Sequence, residues 1–325
     1  MLEALPDVLP LSSYCRETEI HQPELVGIVR SKPYKMPKGY IPWQRLSSII
    51  AMNMALVEAG PKYWARQDVP TRITAFKVTQ WFLQDAPLYC LSIDLLRAFE
   101  QADLSNVYEL FKGFETNLPT FMIALPENAV RMQEGGALSF LCVHIANRDR
   151  PELSIAEGYG LKVPYLDHEG QKNLHISAID SQSITWVSGL TVNREGKLYD
   201  SGKILSAQGL SAADLSDADR MKKIGLQCLL ALAYSPELLE GAGGPGSTAK
   251  TTKRHRPRAH PQPRSPRWLR SQSAPPIRRP HQGGSHASPR PHWRAAHERR
   301  VPVGPREKGD RKVVKIGPTW VNPEG

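Results

Sequence analysis

The chain of 325 residues lacks several of the motifs that usually reveal what a protein does. Its four cysteines form no Cys-x-x-Cys pair, which argues against a zinc finger or a dithiol redox site. It has no complete phosphate-binding loop, nucleophile elbow or paired-histidine metal motif, so we expect a protein that is not an enzyme and has no metal or cofactor. A hydrolase with an unrecognised site is the alternative. The residues available to it are His144, His168, His175, Asp94 and Asp180.

Export and membrane signals are also missing. The first residues include acids and a proline, where a secretory signal needs a basic start and an unbroken apolar stretch. The longest helical apolar run, residues 226–234, is too short to cross a bilayer. We therefore expect a soluble intracellular protein with no membrane partner.

Acidic and branched apolar residues are scarce in the last quarter of the chain. Residues 241–325 hold 19 of the 42 lysines and arginines and 4 of the 32 acidic residues, a net charge of +15. The preceding residues hold 23 and 28, a net charge of −5. Such a basic, proline-rich segment attracts polyanions and buries too little apolar surface to offset its ordering entropy. We predict a disordered basic linker over 241–285, followed by a basic motif and a terminal strand over 286–325.

The rest of the chain has the patterns of one α+β domain. We predict an extended lead-in over 1–40 and a globular body over 41–240, with a mostly antiparallel sheet flanked by helices. Asp217 is the expected cap of the last helix. Predicted helices cover 42–59, 73–83, 104–114 and 217–235, predicted strands cover 88–93, 120–125, 137–146, 174–179 and 184–187, and a hairpin turn is expected at 193–196.

The strongest local feature is the stretch 288–300, which interleaves arginines and histidines with Trp293. Arginine pairs bidentately with phosphate, and a tryptophan ring offers a stacking face to an unpaired base. Trp293 could equally dock onto the body, as we expect of the terminal strand over 311–322. The predicted nucleic-acid-binding residues are Arg290, His292, Trp293, Arg294, His297, Arg299, Arg300, Lys312 and Lys315.

These residues carry a resemblance to a known family. Arg290-Pro-His-Trp-Arg-Ala-Ala-His297, a basic stretch and then Pro318-Thr-Trp-Val-Asn322 resemble the family that contains a phage-encoded inhibitor of type V-A CRISPR nucleases, together with plasmid and phage relatives. Weaker similarity lies around residues 87–94, 136–144 and 150–153.

The resemblance implies a mechanism. An inhibitor of this family lowers the production of the nuclease, because it engages the nascent effector chain and causes loss of its messenger RNA. The implied partners are that nascent polypeptide and, through the basic arm, RNA or the ribosome, in the cytoplasm of a bacterial host. A plasmid or phage nucleic-acid-binding protein with no role in CRISPR biology is the alternative, and steep salt dependence of RNA or DNA binding would favour it.

Overall fold

The computed structural model describes most of the chain. The described residues are 11–59, 67–102, 107–114, 120–147, 172–193, 195–200, 211–240, 263–270, 291–295, 297–302 and 311–321. Within these ranges no helix combines the length and the apolar character needed to cross a bilayer.

The described part of the chain contains seven α-helices and an eight-stranded sheet, which confirms the predicted α+β class. The helices are α1 (Leu11–His21), α2 (Pro23–Arg30), α3 (Trp43–Glu58), α4 (Val69–Leu83), α5 (Ile93–Gln101), α6 (Val107–Lys112) and α7 (Ala212–Tyr234). The strands before the C-terminal region are β1 (Leu88–Leu91), β2 (Thr120–Ala124), β3 (Val130–Arg131), β4 (Ala137–Leu138), β5 (Phe140–Asn147), β6 (Lys172–Ile179), β7 (Thr185–Val192), β8 (Leu198–Asp200), β9 (Leu239–Glu240) and β10 (Arg267–Leu269).

The main sheet has the strand order β8-β7-β6-β5-β2-β1-β10-β9. Its pairings are antiparallel except for those of β1 with β2 and with β10, so the sheet is mostly antiparallel, as predicted. Helices cover both faces of the sheet. Successive side chains of a strand point to opposite faces, so neighbouring residues belong to different cores. Cys90 and Met122 belong to the core shared with α1 to α4, whereas Tyr89 and Phe121 belong to the core shared with α5, α6 and α7.

The predicted elements of the body occur close to their expected positions. The helices predicted over 42–59 and 73–83 are α3 and α4, and the expected hairpin joins β7 to β8. The last helix begins earlier than predicted, because Ser211 rather than Asp217 caps it in a reciprocal capping box with Asp214. Asp217 is instead buried, where its carboxylate accepts a hydrogen bond from the backbone N–H of Gln133.

The prediction of an extended lead-in over residues 1–40 is wrong for residues 11–30. Residues 11–30 form α1 and α2, which pack on α3. Pro23 occupies the first turn of α2, where a missing N–H does no harm, so this proline begins a helix rather than preventing one. Leu25, Val26 and Val29 then form the buried stripe of α2.

The prediction of a disordered linker over 241–285 is wrong for residues 263–270. Strand β10 pairs in parallel with β1, and Leu269 is completely buried. The Trp268 ring meets Tyr40 edge-on, with 5.4 Å between the ring centroids. This strand is too short to stand out from its arginine- and proline-rich surroundings, and it forms because β1 needs a hydrogen-bonding partner on its open side. The rest of the predicted linker lies outside the described residues.

Candidate nucleic-acid interface

Four strands near the C-terminus form two small antiparallel sheets: β11 (His292–Arg294) pairs with β14 (Thr319–Val321), and β12 (His297–Pro302) pairs with β13 (Arg311–Ile316). Both pairings keep one register, because Trp293 lies opposite Trp320 and His297 lies opposite Ile316. The two sheets are therefore successive parts of one hairpin. We call β11 with β14 the proximal ribbon, and β12 with β13 the distal ribbon.

The proximal ribbon is anchored to the body by two tryptophans. Trp293 and Trp320 are cross-strand partners with ring centroids 5.2 Å apart, and they are 1% and 7% exposed. The Trp320 ring also meets Phe99 of α5 edge-on at 5.4 Å. Buried aromatic pairs of this kind stabilise a docked element through both area and ring geometry. Trp293 therefore docks on the body, and the interpretation in which it stacks on an unpaired base is wrong.

Phe99 is the docking residue that the sequence analysis missed. It belongs to the buried stripe of α5 together with Leu95 and Leu96, a pattern that is visible in the sequence. That pattern shows that Phe99 faces the core. It does not show which distant strand covers the ring.

The distal ribbon is basic and open. Its two strands contain five lysines and arginines and one acid, Glu298, which gives a net charge of +4. Val313 and Val314 are 50% and 38% exposed, and as successive strand residues they lie on opposite faces. Solvent therefore reaches both faces of the distal ribbon.

The predicted binding residues divide between the two parts of the hairpin. Arg294, in the proximal ribbon, is exposed, and His292 beside it is half-buried opposite Val321. His297 and Arg299, in the distal ribbon, are exposed. Arg290 lies outside the described residues. The backbone register places the remaining three predicted residues in the distal ribbon: Arg300, Lys312 and Lys315.

A catalytic grouping of histidine and aspartate does not assemble among the residues that the structure describes. His144 and His175 are buried cross-strand partners, and the His144 Nδ1 atom lies 2.7 Å from the Thr120 hydroxyl. Asp180 lies on the opposite face of the sheet from His175, where it accepts a hydrogen bond from Trp186 Nε1. Asp94 is exposed in the first turn of α5, and His168 lies outside the described residues.

The four cysteines are buried free thiols. Burial raises the pKa of Cys15 to about 11 and the pKa values of Cys90 and Cys142 to about 12, and it also raises the pKa of Cys228. A thiol with such a pKa holds little reactive thiolate at neutral pH. The cysteines pack as small apolar residues.

Buried His175 gives the fold a predicted acid sensitivity. Burial, and to a smaller extent the positive charge of Lys77, lower the pKa of His175 well below its usual value. The unfolded chain therefore binds a proton near pH 6.5 that the folded chain does not bind, so stability is fully present above that pH and falls below it. We expect the free energy of unfolding to fall by about 1.4 kcal/mol per pH unit below pH 6 because of this residue.

Urea unfolding at several pH values between 5 and 8 measures this slope. His175→Gln should remove its share of the slope, while His21→Gln, at an exposed position on α1, should keep the slope of the original chain. An identical slope in the original chain and in His175→Gln would contradict the prediction.

Comparison with known proteins agrees with the resemblance in the C-terminal motifs. The search of curated proteins found no match. A family model does match: it is the AcrVA2-like model, described as the anti-CRISPR type V subtype A2 family, and it covers residues 89–323. That range is more than half of the chain, and it contains the strands from Tyr89 of β1 onward together with both parts of the hairpin. The chain therefore belongs to the AcrVA2-like family of type V-A anti-CRISPR proteins.

Proposed function

We propose that this protein suppresses the production of a type V-A effector nuclease by engaging the nascent effector chain and promoting loss of its messenger RNA. The observation that carries the proposal is the family match over residues 89–323, which includes the basic hairpin as well as the sheet. Its site of action would be the cytoplasm of the bacterial host, where the effector is translated.

The division of charge supports this proposal. The body before residue 241 carries a net charge of −5, which disfavours contact with phosphate, whereas the segment from residue 241 onward carries +15, which favours it. A protein that holds a polypeptide with one part and RNA or the ribosome with another needs such a division. The body also exposes apolar side chains on its helical layer, where Ile20 of α1 and Ile28 of α2 are more than half exposed. Apolar side chains of a nascent chain could bury this surface.

Co-expression with a type V-A effector tests the proposal. We expect selective loss of the effector messenger and protein, with an unrelated messenger unchanged. A synonymously recoded effector gene should still be depleted, because the encoded polypeptide is the same. An effector gene with its start codon removed should be spared, because no nascent chain is made. Unchanged effector messenger in the presence of folded protein would overturn the proposal.

The distal ribbon supports a second function, binding of nucleic acid without a role in CRISPR biology. Its net charge of +4 over two short strands suits phosphate contacts that do not depend on sequence. Steep salt dependence of binding to arbitrary RNA and DNA, with no depletion of the effector messenger, would favour this function over the first.

A further inference from the structure

We infer that the distal ribbon binds double-helical RNA through its phosphates, and that it does not recognise single-stranded RNA. The identification of RNA rests on the proposed function, in which the protein works beside a messenger and a ribosome. The preference for a double helix rests on the ribbon itself.

The distal ribbon has no large aromatic side chains on which unpaired bases could stack. Proteins that bind single strands place successive bases on aromatic rings. Residues 297–316 contain no phenylalanine, tyrosine or tryptophan. The nearest rings in the hairpin, those of Trp293 and Trp320, are buried against each other and against Phe99. Unpaired bases would therefore find no aromatic surface on the part of the hairpin that solvent reaches.

The positive charges of the distal ribbon suit the phosphates of a double helix. A double helix keeps its bases stacked inside and presents two rows of phosphates, which cations can contact without reading the bases. The two strands of the distal ribbon, each six residues long and so about 20 Å in length, contain five cationic residues, which the strand register distributes over both faces of the ribbon. Arg299 is exposed and lies opposite Val314, which is also exposed, so this face is open to a partner. Charge complementarity makes a phosphate backbone the partner that fits it.

The proximal ribbon fixes the position of the distal ribbon relative to the body. The two buried tryptophans hold the base of the hairpin against α5, so the distal ribbon is presented from a fixed base. A docked base lowers the entropy lost when the ribbon binds a rigid helix. The same hairpin thus combines a structural proximal part with a binding distal part.

Fluorescence anisotropy with the full chain tests this inference. The probes are a 20-base-pair RNA duplex of arbitrary sequence, one of its strands alone in an unstructured version, and a DNA duplex of the same sequence. We expect the RNA duplex to bind more tightly than the single strand. The variant Arg299→Ala/Arg300→Ala/Lys312→Ala, with all three substitutions in the distal ribbon, should bind the RNA duplex at least about tenfold more weakly, and its salt slope should be smaller by about 2 to 3.

The matched control removes three positive charges from exposed positions of the body, in the variant Arg16→Ala/Lys35→Ala/Lys38→Ala. It should bind the RNA duplex as the original chain does. If the first triple variant does not fold, Arg299→Glu alone replaces it, because this position is exposed. Equal or tighter binding of the single strand, a preference for the DNA duplex, or an equal loss of affinity in the control would each overturn the inference.

The same variants separate this inference from the proposed function. If the ribbon variant loses duplex binding but still depletes the effector messenger, the ribbon contact exists and the inhibitory mechanism does not use it. If the original chain binds duplex RNA but depletes no messenger, the proposed function fails and the binding assignment stands.

Discussion

Trp320→Ala is expected to release the C-terminal hairpin from the body. The substitution removes the ring that contacts both Trp293 and Phe99. Truncation of a buried tryptophan to alanine costs about 3–5 kcal/mol, because the contacts are lost and a cavity remains. Among the described residues of strands β11 to β14, the two tryptophans are the members of the core clusters. The loss should therefore appear first as local opening of the hairpin.

Limited trypsin digestion measures this opening, because the ribbon is rich in lysine and arginine. Cleavage within residues 294–315 should become about 100-fold faster or more, since cleavage follows the population of the open form and 1.4 kcal/mol corresponds to a factor of ten. Trp320→Phe is the control. It keeps an aromatic ring and removes an indole N–H that has no hydrogen-bond acceptor among the described residues. Cleavage of Trp320→Ala at the original rate would contradict the assignment of the tryptophans as the anchor.

Asp180→Ala is expected to destabilise the body by about 3–5 kcal/mol. Asp180 is completely buried, and each of its carboxylate oxygens accepts two hydrogen bonds. Oδ1 accepts from the backbone N–H groups of Gln182 and Ile184, at 2.8 Å and 3.0 Å. Oδ2 accepts from the Gly136 N–H at 2.8 Å and from Trp186 Nε1 at 3.0 Å. Removal of the carboxylate leaves four donors without their acceptor, and two of them, the Gly136 N–H and Trp186 Nε1, are buried.

Asp180→Asn should be destabilising as well, because its amide group would place N–H donors against N–H donors. Asp94→Ala is the matched control. Asp180 and Asp94 both follow a strand closely, but Asp94 is exposed at the start of α5, where a carboxylate stabilises the helix by about 0.3–1 kcal/mol. Chemical denaturation of the three variants gives the comparison. A similar small loss for Asp180→Ala and Asp94→Ala would show that the buried network contributes little.

The glycines beside Asp180 show why this network was not visible in the sequence. A Cβ atom at Gly135 would lie 2.6 Å from Asp180 Oδ2, and one at Gly136 would lie 2.2 Å from Ser181 Oγ. Glycine is therefore needed here so that the backbone can approach the carboxylate. In the sequence, however, Gly135-Gly136 reads as an ordinary turn, and its acidic partner lies 44 residues away.

Local patterns predicted much of the secondary structure correctly. The apolar periodicity of α3 predicts a helix, and the nearly continuous apolar run of β5 predicts a buried strand. Shorter elements have too few residues to show such a pattern. Strand β10 has three residues, and its burial depends on the open edge of β1, which is more than 170 residues earlier in the chain.

The features of the C-terminal hairpin divide in the same way between those visible in the sequence and those that depend on the fold. Its charge, its tryptophans and its family motifs are properties of the sequence, because composition and motif spacing do not depend on the fold. The roles of Trp293 and Arg299 depend on the fold, because the fold decides which side chain is buried: the indole ring lies against Trp320, and Arg299 is exposed.

The class of the fold, the acidic body, the basic C-terminal region and the family could therefore be predicted without the structure. Each of these follows from composition, periodicity or a local motif. The structure was needed to show that the two tryptophan motifs pair across one hairpin, that Phe99 contacts Trp320, and that Arg299 of the distal ribbon is exposed. Those facts depend on contacts between residues distant in the chain, and burial of apolar surface selects such contacts only when the whole chain packs.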